Sequence, residues 1–112
     1  MNCMNNFPWY RGWHDKYSAK GLKVIGIHTP ETEGEAKLDA LRAKVKENVM
    51  QYPVAADNDR KTWDAWTNTL WPSVYLIDKQ GYVRYWWYGE LNSKGAEGDK
   101  IMRQQIEELL AE

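Results

Sequence analysis

Residues 71–88, WPSVYLIDKQGYVRYWWY, carry the pattern that decides the fold. Residues 73–78 are rich in β-branched and aromatic side chains, as strands are. Residues 79–81, Lys-Gln-Gly, have the composition of a tight turn, and residues 82–88 alternate as a returning strand does. The stretch therefore predicts a β-hairpin that begins directly after Pro72.

A helix is predicted over residues 6–20, well before the hairpin. Its apolar side chains recur at the spacing of one helical face: Phe7, Tyr10, Trp13 and Tyr17. Pro8 is expected to mark the first turn or to kink the helix, and Gly21 occupies the position of a C-terminal cap. Residues 22–28, LKVIGIH, then have the composition of a buried parallel strand.

The middle of the chain predicts a loop, a helix, a short strand and another helix. The loop covers residues 29–34, and an amphipathic pattern of apolar residues follows up to residue 49. Residues 53–56 suit a strand start or a sheet edge, because Pro53 has no backbone donor. Residues 57–59, Asp-Asn-Asp, can cap a helix on which three apolar residues share a face: Trp63, Trp66 and Leu70.

The chain is predicted to end in a loop over residues 90–98 and a helix from about Asp99. The helix is expected to bury Ile101, Met102, Ile106, Leu109 and Leu110. Helices and strands alternate along the chain, which predicts an α/β domain with helices covering a mixed sheet. A length of 112 residues predicts a single domain, residues 1–112.

The composition excludes several classes of protein. Hydrophobic residues make up 43% and charged residues 28%, as in an ordinary globular chain. Lys and Arg number 15 against 16 Asp and Glu, and no basic stripe occurs, so nucleic acid is not expected as a partner. No apolar run reaches the roughly 18 residues of a spanning helix, so no membrane insertion is predicted. The first six residues lack the features of a signal peptide.

The chemistry-bearing residues are few. Cys3 is the single cysteine, which excludes an internal disulfide and a cysteine-built zinc site. His14 and His28 lie far apart without clustered carboxylates, so no metal site is expected. No glycine-rich phosphate loop and no Ser-His-Asp arrangement is evident, and no cofactor is predicted.

Three places in the sequence carry a family resemblance when taken in order. Cys3 is similar to the second cysteine of a Cys-x-x-Cys motif. Pro8, five residues later, is similar to the kink proline of the helix that follows this motif. Residues 21–31 read GLKVIGIHTPE. The third place comprises residues 52–59, YPVAADND, and the hairpin that begins after Trp71-Pro72. Together they resemble the TlpA-like group of thioredoxin-fold proteins, and most closely its DipZ-like branch.

The resemblance implies an extracytoplasmic thiol-disulfide oxidoreductase that acts on protein thiols or disulfides. Cys3 is then the resolving thiol, which releases substrate from a mixed disulfide. Trp71 and a cis Pro72 form the platform that pairs with an extended substrate chain. The attacking cysteine would precede Met1, and the central strand of the mixed sheet would also lie upstream, so the chain is expected to lack both.

Each of these residues also has a simpler interpretation. Cys3 can be an unreactive thiol near a frayed terminus, because exposure alone does not make a thiol reactive. Pro72 can be an ordinary trans proline, since only about 5 to 6% of X-Pro bonds are cis. Glu31 follows a strand that ends at the site crevice, which makes it a candidate proton acceptor, but a solvated loop carboxylate is the simpler role.

The aromatic strand 82–88 leaves a second class of function open. Tyr82, Arg84, Trp86 and Tyr88 share one face, and Val83, Tyr85 and Trp87 share the other. A strand covered by helices on both sides is the favoured interpretation, and an exposed platform for a peptide or a sugar is the alternative. The rival function is therefore a non-catalytic thioredoxin-like module that binds a polypeptide or a glycan.

A missing central strand has consequences for assembly. The edges of strands 22–28 and 73–78 would be left unpaired, and unsatisfied buried backbone groups are costly. Upstream residues, a neighbouring chain or direct antiparallel closure of the two strands could satisfy them. Direct closure would expose apolar surface, so a homodimer is expected.

Overall fold

A computed structural model describes residues 5–30, 37–48, 50–92 and 95–112, and its elements follow the predicted order. The helices are α1 (Phe7–Tyr17), α2 (Leu38–Glu47), α3 (Lys61–Ala65) and α4 (Gly98–Leu110). The strands are β1 (Gly26–His28), β2 (Val54–Ala56), β3 (Ser73–Ile77) and β4 (Val83–Tyr88). The chain divides into two compact units, Met1–Leu22 with Leu70–Glu112, and Lys23–Thr69.

The predicted hairpin is confirmed in the first unit. Strands β3 and β4 pair antiparallel, with Tyr75 opposite Trp86. The Asp78 carboxylate closes the turn, because its Oδ1 accepts hydrogen bonds from the backbone N–H groups of Gln80 at 2.9 Å and Tyr82 at 3.0 Å. Gly81 has a φ of +92°, a backbone conformation that favours glycine at this turn.

The core of the first unit lies between the hairpin and the helices α1 and α4. Its buried members are Trp13, Tyr17, Leu76, Leu91, Met102, Ile106 and Leu109. The one polar atom of the Trp13 ring is satisfied inside this core, because its Nε1–H donates to Oδ1 of the buried Asp99 at 2.8 Å. The ring therefore contributes apolar burial without the cost of an unpaired donor.

Helix α1 begins and ends as its sequence predicts. Pro8 lies in the first turn, where the missing N–H has no intrahelical partner to lose. A short 3₁₀ turn, Ser18–Lys20, follows the helix. Gly21 ends it with a φ of +111° and donates to the Ser18 carbonyl, so its predicted capping position is confirmed.

Two predictions for the C-terminal part are corrected. Ile101 is 39% exposed, because it lies on the side of α4 that turns away from the core, and Leu110 is only half-buried. The predicted loop 90–98 contains a fully buried core residue, Leu91. The loop turns inward there because the Leu91 N–H donates to the Asn6 side chain and the Leu91 carbonyl accepts from Gly98.

The second unit contains a parallel strand pair, as predicted. Gly26 lies opposite Val54, and His28 lies opposite Ala56. The predicted burial of strand 22–28 is wrong, since β1 begins only at Gly26 and Ile27 is 47% exposed. Strand β2 is the only strand paired with β1 among the described residues.

Helix α3 is shorter than the sequence pattern predicts. It ends at Ala65, and Thr67 adopts a left-handed φ of +56°, which a β-branched residue rarely does. Trp63 is buried, but Trp66 and Leu70 are 39% and 47% exposed because they lie beyond the helix. The predicted apolar face of three residues is therefore reduced to Trp63.

The predicted capping role of Asp57 is confirmed. Its buried carboxylate accepts hydrogen bonds from the backbone N–H groups of Thr62 at 3.0 Å and Trp63 at 2.9 Å. The Thr29 hydroxyl donates to the same carboxylate at 2.8 Å. Asp57 thus joins the end of β1 to the first turn of α3.

Acid is expected to destabilise the chain through Asp57. Burial alone raises the pKa of this carboxyl, but the hydrogen bonds from Thr62, Trp63 and Thr29 outweigh it and hold the pKa below its usual value. The resulting stabilisation is complete above about pH 4 and is lost as the pH falls through the lowered pKa. Melting temperatures measured against pH should fall less steeply for Asp57→Asn than for wild type. The exposed Asp59→Asn control should keep the wild-type slope, and equal slopes for both variants would contradict this role.

The described strands form two separate two-stranded sheets, β1 with β2 and β3 with β4. Direct pairing of strand 22–28 with strand 73–78 is not among the strand pairs of the described residues. Within the same residues, every helix is too short or too polar to cross a membrane.

Candidate functional site

The start of α1 is tied to the chain that leaves β4. Asn6 is 1% exposed, and its Nδ2 donates to the Tyr10 hydroxyl at 3.0 Å and to the Gly89 carbonyl at 3.2 Å. Its Oδ1 accepts from the Leu91 N–H at 2.9 Å. Three of the hydrogen bonds available to this amide are therefore made inside the protein, and the helix start is fixed against residues 89–91.

Pro72 is also bonded to the chain that leaves β4. The Trp71–Pro72 peptide bond is cis, as the sequence predicts. Pro72 is buried, Trp71 is partly exposed, and the Pro72 carbonyl accepts from the Gly89 N–H at 2.8 Å. Gly89 therefore bonds through its carbonyl to the helix start and through its N–H to the proline segment. The structure brings these two predicted parts of the site together.

Two of the predicted site residues, Cys3 and Glu31, lie outside the described residues. Cys3 precedes Asn6 by three positions in the sequence, so its closeness to Pro72 stays a prediction. Sequence reasoning missed Asn6 and Gly89. The available signal was an asparagine directly before an amphipathic helix, which suggests a local cap rather than the long-range bonds that Asn6 makes.

The two histidines lie on different elements of the structure. His14 lies on α1 and His28 on β1. No group of three or more His, Cys, Asp or Glu side chains suited to a metal ion occurs within residues 5–30, 37–48, 50–92 and 95–112.

The aromatic hairpin strand has one covered face and one open face. Tyr85 and Trp87 pack against the core, whereas Trp86 and Tyr88 are 57% and 53% exposed. The predicted division of these four residues between two faces is confirmed. The favoured expectation that helices cover both faces is wrong for this strand, because its second face is solvent-exposed.

Comparison with known proteins assigns the chain to a family. A profile described as the AhpC/TSA family matches residues 1–86, which include Cys3, the helix start and the Trp71-Pro72 segment. The chain belongs to the AhpC/TSA family. This membership and the relatives described next confirm the predicted TlpA-like thioredoxin fold.

Two relatives and one solved structure illustrate the position of this AhpC/TSA chain. Protein DipZ of Mycobacterium tuberculosis is 43% identical over 91 residues, which cover 80% of this chain but 13% of DipZ. The thiol-disulfide oxidoreductase YkuV of Bacillus subtilis is 26% identical over 98% of this chain and 70% of its own length. A thiol-disulfide isomerase of Corynebacterium glutamicum superposes with a TM-score of 0.84 at 24% identity, covering 99% of this chain and 73% of the isomerase. This last match shows the shared fold.

Proposed function

We propose that this chain is a thiol-disulfide oxidoreductase domain that acts on protein thiols or disulfides. The observation that carries the proposal is the family match over residues 1–86, a stretch that contains both Cys3 and the Trp71-Pro72 segment. Cys3 is the resolving thiol in this proposal. An extracytoplasmic setting, as the resemblance implies, is part of the same proposal.

The reaction requires two thiols. An attacking thiolate displaces one sulfur of a substrate disulfide, which forms a mixed disulfide and releases one substrate thiolate. The Cys3 thiolate then attacks the enzyme sulfur of the mixed disulfide and releases the second substrate thiolate. Two electrons pass from the dithiol to the substrate, and the reverse sequence oxidises it. The resemblance places the attacking cysteine one position before Met1.

The described residues support this chemistry by positioning. Asn6 holds the helix start against Gly89, and Gly89 holds the Pro72 carbonyl. These contacts hold the start of α1 beside Trp71-Pro72, the segment along which the resemblance implies that the substrate binds. Glu31, which follows β1 in the sequence, is the proposed proton acceptor.

A second candidate function is a binding module for a polypeptide or a glycan. The exposure of Trp86 and Tyr88 favours it, because aromatic rings supply large contact areas to such ligands. The two candidates differ in whether Cys3 resolves a mixed disulfide.

A trapping experiment tests the leading proposal. One cysteine is added before Met1, and the extended chain is compared with its Cys3→Ser variant after mixing with a disulfide-bonded peptide. Without a resolving thiol, we expect the variant to accumulate at least about tenfold more mixed disulfide, measured by mass spectrometry under non-reducing conditions. Equal amounts of adduct in the two proteins would contradict the role of Cys3 and favour the binding module.

A further inference from the structure

The outer edge of β4 has little of the usual protection of an edge strand apart from a bulge at Arg84. Within the described residues, β3 is the only strand paired with β4. Its sequence, VRYWWY, contains neither Lys nor Pro, the residues that most often block pairing at an edge. The strand also has the high β-propensity and low charge of segments that pair with copies of themselves.

The single charge of this strand is neutralised within the chain. The Arg84 guanidinium lies 3.1 Å from the Asp78 carboxylate, and it forms a two-pronged contact with Glu112 at 2.9 and 3.0 Å. Two copies of β4 would therefore approach each other without strong repulsion between their arginines. A four-stranded sheet, which two paired hairpins would form, also has an ordinary size.

We propose that two copies of this chain form a dimer by antiparallel pairing of their β4 strands, with the two-fold axis at Trp86. Residues directly opposite in an antiparallel pair share a face, so this axis places Trp86 opposite Trp86 of the partner subunit. Tyr85 then lies opposite Trp87 of the partner subunit, and the regular pairing ends at the bulge at Arg84. An axis at Tyr85 is disfavoured because Tyr85 packs on the core and its hydroxyl bonds Glu108.

The two-fold arrangement also limits pairing through β4 to two chains. Both copies use the same edge, so the pairing consumes both and leaves no β4 edge for a third chain. The exposed rings of Trp86 and Tyr88 from the two copies come together on one face of a continuous four-stranded sheet. Cross-strand aromatic pairs of this kind stabilise sheets.

Cysteine cross-linking tests this register. In a Cys3→Ser background, Trp86→Cys places two thiols directly opposite each other, at a Cα separation of about 4.5 to 5.5 Å, within the disulfide range. Mild oxidation should convert most of this protein to a covalent dimer. Tyr88→Cys is the matched control, because its two copies would lie four residues apart, about 14 Å. Cross-linking at position 88 without cross-linking at position 86 would overturn the proposed register.

Light scattering after size-exclusion chromatography tests the dimer without cysteines. Wild type should have twice the monomer mass of 13.2 kDa. Trp86→Lys should weaken association at least about tenfold, because two ammonium groups meet at the axis. The control variant Tyr82→Lys should remain dimeric, because Tyr82 is 66% exposed and lies just before the strand. A monomeric wild type, or a Trp86→Lys protein as dimeric as wild type with an unchanged circular dichroism spectrum, would overturn the proposal.

Discussion

The 112-residue chain is expected to reduce insulin in dithiothreitol no faster than dithiothreitol alone. Catalysis of this reaction needs a second thiol to release the mixed disulfide, and Cys3 is the single cysteine in the sequence. The measurement is the onset of insulin precipitation, followed by turbidity. The Cys3→Ser protein should give the same curve, since neither protein contains a dithiol.

Addition of one cysteine before Met1 should restore the activity. The motif then becomes Cys-Met-Asn-Cys. The family resemblance implies that this motif lies at a helix N-terminus, where free backbone N–H groups favour the attacking thiolate. We expect a rate at least about tenfold above the enzyme-free reaction, abolished by Cys3→Ser. Rapid turnover by the unextended chain that survives Cys3→Ser would contradict the assigned site, and circular dichroism verifies that each protein is folded.

The elements with strong local patterns could be predicted from the sequence. The hairpin was predictable from alternating residues around a Lys-Gln-Gly turn. In the structure, Asp78 accepts hydrogen bonds within that turn and Gly81 supplies its left-handed backbone conformation. The position of helix α1 was predictable from the spacing of its apolar residues and from Pro8 and Gly21 near its ends. Local chemistry is sufficient for such elements because the residues that decide them are neighbours in the chain.

Features decided by distant residues could not be predicted in this way. Leu91 lies in a loop by composition, but it is buried because Asn6, 85 positions away, accepts its N–H. Helix α3 has an apolar pattern that extends to Leu70, but the left-handed Thr67 ends it early. In both places tertiary contacts or a single backbone angle outweigh the periodic pattern.

The site was predictable in part. The family resemblance pointed to Trp71 and Pro72, and the structure adds that Gly89 bonds both the Pro72 carbonyl and the Asn6 side chain. No periodicity signals such a link, since a glycine backbone carries no side-chain pattern. Cys3 and Glu31 lie outside the described residues, so the role of Cys3 rests on the resemblance and that of Glu31 on its position after a strand.

Gly98→Ala is expected to destabilise the chain strongly. Gly98 is buried at the start of α4, and a Cβ there would lie 2.9 Å from both the carbonyl carbon and the Cα of Leu91, with the Leu91 carbonyl oxygen closer still. These are backbone atoms of a fully buried residue, so no flexible side chain can move aside. The helix start and the Leu91 turn must separate to admit the methyl group, which would also disturb the hydrogen bond from Gly98 to Leu91.

The expected cost of this overpacking is about 2 to 3 kcal/mol in the free energy of unfolding, measured by urea denaturation. That is a large part of the roughly 5 to 15 kcal/mol that stabilises an ordinary domain, so the Gly98→Ala midpoint should shift clearly to lower urea. Gly12→Ala is the matched control, because Gly12 lies within α1 and no atom lies within 4 Å of its added Cβ. This control should gain about 0.5 to 1 kcal/mol, since alanine loses less backbone entropy in a helix than glycine. If Gly98→Ala were as stable as Gly12→Ala, the close contact between α4 and the buried Leu91 turn would be wrong.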